Sequence, residues 1–560
     1  MELLTPSRFQ QPQQAAGQPT GFMKWLPLVI LSLALTIIIL DTTILNVAFK
    51  TIIHDLNANV QQIQWVITAY SLMLAAFTIT GGRLGDYFGR KKMFVLGAVI
   101  FAVGSFITSI SNSVGMMILG EAIIEGIGAC LMLPATVSLL VAHYQGRDRQ
   151  VAFGVWGGLA AAAAAFGPIV GGFLTTYYSW RWAFRINLFV AVILAVGSIF
   201  IHESKVREDS AKIDYLGIVL SALGLLSVVF GVIESSTYGW WNLKQSFIVF
   251  GHSVSGLGTI SATPFFIVLG IDILAIFFLW ESYLQEQGKT PLVSFSLFKN
   301  KQFTLAALIT SILALVQTGV FFALPVFLQG VKNLDALHTG YALLPMTIAL
   351  LVASPLSAYF SKYITPKLII QAGLVLNIVG FVLLIYELSA TASVWTLAPG
   401  FIVIGIGMGF MFSQTSNMAL SAVPVQNSGE ASGVNTTMRQ LGATLGAAIM
   451  GAILLSALSQ SIATGVQNSS VIPDQQKPVI AQQLSMQTNS IAIEGSSQQS
   501  SAGVPQNISA EITRIINQAT VDGNREALWY GIGFVILGLL LSFGLPNAID
   551  IETGKKSTAA

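Results

Sequence analysis

Long apolar runs separated by short polar breaks dominate the chain from about residue 23 to residue 547. A membrane-spanning helix needs about 20 mainly apolar residues. By that measure the runs predict about fourteen spans: 23–48, 63–82, 93–111, 114–142, 151–175, 182–202, 214–234, 264–282, 302–329, 339–361, 367–387, 394–422, 431–457 and 527–547. Residues 235–263 interrupt the pattern, and Trp240, Trp241 and His252 there suggest an interfacial loop or hairpin. Gln460 to Arg525 interrupts it again, rich in Gln, Ser and Asn and punctuated by Pro473, Pro478 and Pro505. Inside that long external loop Ile508, Ile512, Ile515, Ile516 and Ala519 recur at helical spacing, so part of it is expected to fold onto the outer surface. The loop is either a lid or partner site, or a tolerated surface insertion.

Composition narrows the class. Hydrophobic residues make up 54% of the chain and charged residues 9%, against roughly 25% charged in soluble proteins. So few charges cannot solvate a globular surface, and the fold class is an all-α integral membrane protein. An even number of spans puts both termini on one side. Assigning the termini and the loops after even-numbered spans to the cytoplasm collects 18 of the 27 Lys and Arg there, as the positive-inside rule requires. The expectation is a multi-pass protein of the cell (inner) membrane with both ends cytoplasmic and polar tails at 1–22 and 548–560. Cys130 is the only cysteine, which excludes a disulfide framework or thiolate metal cluster. No Walker-type glycine-lysine loop is present; Gly554-Lys555-Lys556-Ser557 lacks the upstream glycine. Neither a cofactor, a metal, an enzyme activity nor a nucleic-acid partner is expected.

A few polar residues stand out against this background. Gly82-Arg83-Leu84-Gly85-Asp86-Tyr87-Phe88-Gly89-Arg90-Lys91-Lys92 is a charged turn between two spans. Positive-inside topology explains its cations, but not Asp86 or the glycines; Asp86 can accept from helix-end amides, pair with Arg90 and latch the cytoplasmic side. Leu356 to Lys362 echoes Leu84 to Arg90, which suggests two duplicated six-helix bundles with a substrate site between them. The bundles would be 23–202 and 302–547, joined by two inserted helices within 203–301, the second bundle carrying the external loop at 460–526. Gly167-Pro168-Ile169-Val170-Gly171-Gly172 offers a small helix face for close packing. Asp41 lies well inside the first span, where a charge costs about 2.5–3.5 kcal/mol on insertion scales. It either exchanges protons or holds a neighbouring helix. Glu121 and Glu125, four apart, share a helix face. Two carboxylates that close in a dry site do not both ionise easily, so they either hold a proton or pair with an arginine such as Arg439 or Arg185. Asp272, mid-span in an inserted helix, is expected to bond another helix or reach the interface, and Arg439 to reach the interface or serve a relay or the substrate.

The charged turn fits the signature of the major facilitator superfamily at Gly82, Leu84, Asp86, Gly89, Arg90 and Lys91. The Gly167, Pro168, Gly171, Gly172 set resembles that superfamily's antiporter motif. Leu40 to Ala48, Trp65 to Tyr70 and Arg439 to Gly442 resemble segments of its fourteen-span drug:proton antiporter family. Where members commonly carry an arginine in the fourth helix this chain has Ala122, flanked by Glu121 and Glu125, and Ala163 stands where a glycine is often seen. The resemblance implies a major facilitator fold and a secondary exporter moving amphipathic, cationic compounds against protons by alternating access. Proton coupling falls on Asp41, Glu121, Glu125 and Arg439, and a substrate cavity on Asn46, Trp65, Tyr70, Met411 and Gln414. Expected partners are small amphipathic substrates, protons and the lipid bilayer, with a periplasmic or external partner at 460–526 as a further option. Two other readings fit the same sequence: the same fold exporting a lipid, siderophore or metabolite, and a receptor or scaffold acting through the external loop.

Overall fold

A computed structural model describes residues 21–58, 60–204, 213–241, 248–249, 252–253, 260–486, 488 and 506–547. Apart from a two-residue ladder pairing Ile248–Val249 with His252–Ser253, the regular structure in it is helical. The long helices are α1 (Leu26–Asp55), α2 (Val60–Phe88), α3 (Arg90–Ser109), α4 (Val114–His143), α5 (Gly146–Tyr177), α6 (Arg181–Gly197), α7 (Tyr215–Tyr238) and α8 (Ala262–Glu286). They continue as α9 (Lys301–Gly330), α10 (Ala336–Phe360), α11 (Pro366–Glu387), α12 (Ala398–Ser421), α13 (Ser428–Asn468) and α14 (Gln506–Ser542). Among the described residues 13 helices are long and apolar enough to cross a membrane. Helix α5, several of whose side chains lie outside the described residues, is not among those 13. The two tails, and most of 242–259, also lie outside the described residues.

Packing repeats at an interval of eight helices. Helix α1 packs on α5 and α6, α2 on α4, and α3 on α4 and α6; likewise α9 packs on α13 and α14, α10 on α12, and α11 on α12 and α14. The contacts between the two sets obey the same rule. Helix α2 meets α13, and its counterpart α10 meets α5, the counterpart of α13. A duplicated unit related by a two-fold axis gives this pattern. Helices α7 and α8 pair with each other, and α7 also lies along α2 and α13.

The turn after α2 is a single residue. Gly89 has φ 110, a backbone setting open to glycine and strained for other residues. It lets α3 begin at Arg90, immediately after α2 ends at Phe88. The carboxylate of Glu203 accepts from the Lys91 and Lys92 amides at 3.0 and 3.2 Å, satisfying orphan donors at the start of α3.

Among its described residues the 460–526 segment is more helical than the long loop expected there. Helix α13 runs on to Asn468 and α14 begins at Gln506, with a further short helix at Lys477–Met486 between them. At 41 residues α13 is about 60 Å long, twice the hydrocarbon thickness. The reason lies in the periodic isoleucines. Ile508, Ile515, Ile516 and Ala519 of α14 bury against Leu458, Ile462 and Val466 of α13, closed by Ile472 and Leu484. The polar residues that break the hydrophobic run occupy the other faces. Ile516, 1% exposed, anchors this outer core. Ile516→Ala should cost about 2–5 kcal/mol there, seen as faster limited proteolysis of the extension; an unchanged cleavage rate would contradict the packing.

Candidate functional site

The fourth span changes winding midway. Ile118–Glu125 is π-helical, flanked by Val114–Met117 and Gly126–His143 in α-helix. A π-helix winds more residues into each turn, so residues four apart project more nearly in one direction. Glu121 and Glu125 are those residues, and both are fully buried. Gly104 of α3 and Gly120 of α4 allow the close approach that closes the site from that side: a Cβ on Gly104 would lie 2.5 Å from the Glu125 amide nitrogen.

Asp41 of α1 completes the cluster. One carboxylate oxygen from each of Asp41, Glu121 and Glu125 lies within 4.8 Å of the others. Asn187 of α6 holds them in place: its Nδ2 donates to Asp41 Oδ1 at 2.9 Å and Glu125 Oε1 at 3.1 Å. Ser105 of α3 accepts from the same amide at 3.0 Å and donates to Glu125 Oε1 at 2.6 Å. Asp41 Oδ2, Glu125 Oε2 and both oxygens of Glu121 receive no protein donor. No lysine or arginine forms an ion pair with the cluster among the described residues. Three negative charges buried together without a cation are costly. On α5, Gly167 faces Thr43 and Gly171 faces Ile44 of α1, which lets these two helices pack closely.

A second constellation closes one end of the molecule. Asp86 Oδ1 accepts from Arg90 Nε and Nη2 at 3.1 and 2.8 Å, and its Oδ2 accepts from the Glu430 amide at 3.0 Å. Asp86 thus caps the N-terminus of α13, on the far side of the seam, where an anion is favoured by the helix dipole. Arg90 reaches on to the Val425 carbonyl at 2.9 Å. Arg83 pairs with Glu430 at 3.0 Å and donates to the Pro291 carbonyl, while the Ser294 amide donates to Glu430 at 2.5 Å. Gly82 allows the seam to close, with Gly433 of α13 against it. Both ion pairs are buried.

The remaining residues singled out in the sequence are scattered. Tyr70 is buried beside the cluster, its ring bordering Gly126. Trp65 instead stacks on Phe230 of α7, because α7 lies along α2 and covers that face. Met411 Sδ accepts from Asn377 of α11 at 3.5 Å, and Gln414 Nε2 donates to Ser357 of α10 at 3.2 Å. Both therefore face neighbouring helices of their own set. Leu84 is half-buried at the end of α2, Gly172 is buried on α5, and the side chains of Asn46 and Pro168 lie outside the described residues. Asp272 is exposed on the outer face of α8. Arg439 is half-buried. It has no hydrogen-bond or ion-pair partner among the described residues and stands apart from the carboxylates. Asn187, Ser105 and Glu430 were not singled out, and Arg83 only as one cation of the charged turn; of the first three, Asn187, an amide inside an apolar run, carried a signal.

Residues 31–447 match the family model described as Major Facilitator Superfamily. The chain is 28% identical over 462 residues to a probable actinorhodin transporter of Streptomyces coelicolor, covering 81% of this chain and 76% of that one. It is 28% identical over 455 residues to the puromycin resistance protein pur8 of Streptomyces alboniger, covering 80% and 86%. In fold it is similar to the human organic anion transporter MFSD10, with TM-score 0.55 and 12% identity over 94% of this chain and 100% of that one.

Removing one partner of a buried ion pair costs about 3–5 kcal/mol. Asp86→Asn should therefore open the α2/α13 seam. With Cys130 replaced by alanine and a reporter introduced as Ser432→Cys, at a buried position on α13, maleimide labelling should rise at least about tenfold, the factor given by 1.4 kcal/mol. Equal labelling with and without Asp86→Asn would show that the pair does not hold the seam.

Proposed function

The chain belongs to the Major Facilitator Superfamily, a family of transporters rather than enzymes, and on that premise we propose that it is a secondary exporter exchanging protons for amphipathic compounds, cationic ones among them. The observation that carries this reading is the closed set of Asp41, Glu121 and Glu125 with no basic partner. Such a set must be loaded with protons to stay buried and can give them up when water or a cationic substrate reaches it. Relatives named as a probable actinorhodin transporter and a puromycin resistance protein support a small-molecule cargo, and the resistance protein an outward direction. A membrane potential supplies about 2.3 kcal/mol per charge per 100 mV, and a pH unit about 1.4 kcal/mol, so each proton admitted can support a substantial gradient.

In this reading residues 23–202 and 302–547 are the two rocking bundles, with α7 and α8 inserted between them, and α5 brings the spans to fourteen. The latch of Asp86, Arg90, Arg83 and Glu430 closes the cytoplasmic side, and Gly167 and Gly171 seal α5 against α1. The distribution of Lys and Arg supports a cell (inner) membrane protein with both ends cytoplasmic. A second reading keeps the fold and changes the cargo to an endogenous metabolite. Arg439 favours it, because a half-buried cation without a partner among the described residues suits a substrate with an acidic or acceptor group.

Energised inside-out vesicles carrying the protein should release protons when a substrate is added, read as recovery of a ΔpH-sensitive dye. Asp41→Asn should abolish that recovery with the protein still present in the membrane. Full recovery in Asp41→Asn, and in a Glu121→Gln/Glu125→Gln double variant, would remove the cluster from coupling.

A further inference from the structure

Residues 201–204, which follow α6, are pinned at every position. Ile201 is buried in the core, 1% exposed. The His202 amide donates to Nε2 of His143, the last residue of α4, at 2.9 Å. Glu203 accepts from the first amides of α3, and its carboxylate lies 2.8 Å from where a Cβ on Gly89 would stand. Ser204 Oγ accepts from Arg90 Nη1 at 3.2 Å, so the segment ends on the latch.

His143 is held on two sides by backbone groups that fix its protonation state. Its Nδ1 lies 2.9 Å from the Leu139 carbonyl, which only accepts, so Nδ1 carries the proton. Its Nε2 faces the His202 amide, which only donates, so Nε2 must offer a lone pair. An imidazolium has a hydrogen on both nitrogens and cannot meet the second requirement. It would set its own N–H against that of His202 and leave the amide without an acceptor. The groups facing the ring oppose a charge there as well. The His202 ring stacks on it, centroids 5.9 Å apart and planes 12° apart, and Lys91 approaches from α3. The Tyr144 ring tilts against it at 6.5 Å, its hydroxyl donating to the Lys24 carbonyl. The Glu203 carboxylate is turned to the α3 amides, and Asp148 pairs with Lys24.

We propose that His143 is a pH sensor for the charged seam: a proton on its Nε2 releases residues 202–204, uncaps α3 and loosens Arg90 from the latch. Imidazole is the side chain that ordinarily changes charge between about pH 5 and 8. The closed seam holds His143 neutral, whereas the open one leaves it free to take a proton, at about pH 6.5 for an unperturbed imidazole. Closure is therefore at full strength above about pH 7.5 and weakens by up to about tenfold per pH unit below about pH 6.5. Opening of the cytoplasmic side becomes easier as the cytoplasm acidifies. Such a sensor acts through the latch and is independent of proton exchange at Asp41, Glu121 and Glu125.

The test is maleimide labelling of the Ser432→Cys reporter in the Cys130→Ala background, on purified full-length protein in detergent, at about pH 8 and about pH 6. Dividing each rate by that of the same reporter in Asp86→Asn protein at the same pH removes the thiol's own titration, because the seam there is already open. The quotient should be about one-tenth at the higher pH and rise at least about threefold at the lower. His143→Gln offers the His202 amide an acceptor at either pH, so its quotient should stay low at both. His202→Ala keeps the amide and should follow the wild type, which separates the two imidazoles even where His143→Gln does not fold. A wild-type quotient indifferent to pH overturns the proposal, as does a full rise retained in His143→Gln or lost in His202→Ala. Equal rates in wild-type and Asp86→Asn protein at the higher pH remove the latch and the sensor together.

Discussion

Three carboxylates buried without a basic residue to neutralise them set the terms for this molecule. Burying a charge in a low-dielectric interior costs several kcal/mol, and among the described residues none repays it to Asp41, Glu121 and Glu125 with an ion pair. The surrounding structure is arranged to hold the three together regardless: a π-helical turn aligns the glutamates, Asn187 spans two of the acids, and glycines on α3 and α4 let the walls come close. That cost, in the absence of a cation, is what motivates the proposal that the cluster exchanges protons.

The two seams between the repeated helix sets are built differently, although the packing relates them. Where α2 meets α13 the closure is electrostatic, with Asp86, Arg90, Arg83 and Glu430 interlocked and the Pro291–Ser294 segment tied in. Where α10 meets α5 it is neutral: Ser354 donates to the Gly154 carbonyl at 2.7 Å, and Ser361 bonds Gln150. The sequence echo marks the difference, since Ala358 stands in the register of Asp86. The charged seam also lies against the inserted helices, because the segment leaving α8 ends on Glu430. Opening that side must break bonds from both helix sets and from the insert at once.

Much of this was legible in the residues. Apolar periodicity located the helices, and a charge inside an apolar run marked Asp41, Glu121 and Glu125 because lipid tolerates few such residues. That the three share one site was not legible, since it depends on how α1 and α4 pack. Glu430 was hidden because its partners Asp86 and Arg83 are distant in the chain and its own neighbourhood reads as a polar loop. Trp65 read as a cavity residue and lies instead against α7, which sequence spacing alone cannot place. The helical isoleucine stripe at 508–519 was legible, but not the length of the helices that carry it, because their polar faces outnumber that stripe; two helices that continue past the membrane need only one apolar face between them.

The central claim is that binding of cargo and loss of protons are one event at the carboxylate cluster. It is tested most directly by adding a transported compound to the purified protein in weakly buffered solution and counting the protons that appear. The account predicts proton release that saturates with binding and is diminished in Asp41→Asn. Binding with no proton release, or with release unchanged in Asp41→Asn, would contradict it.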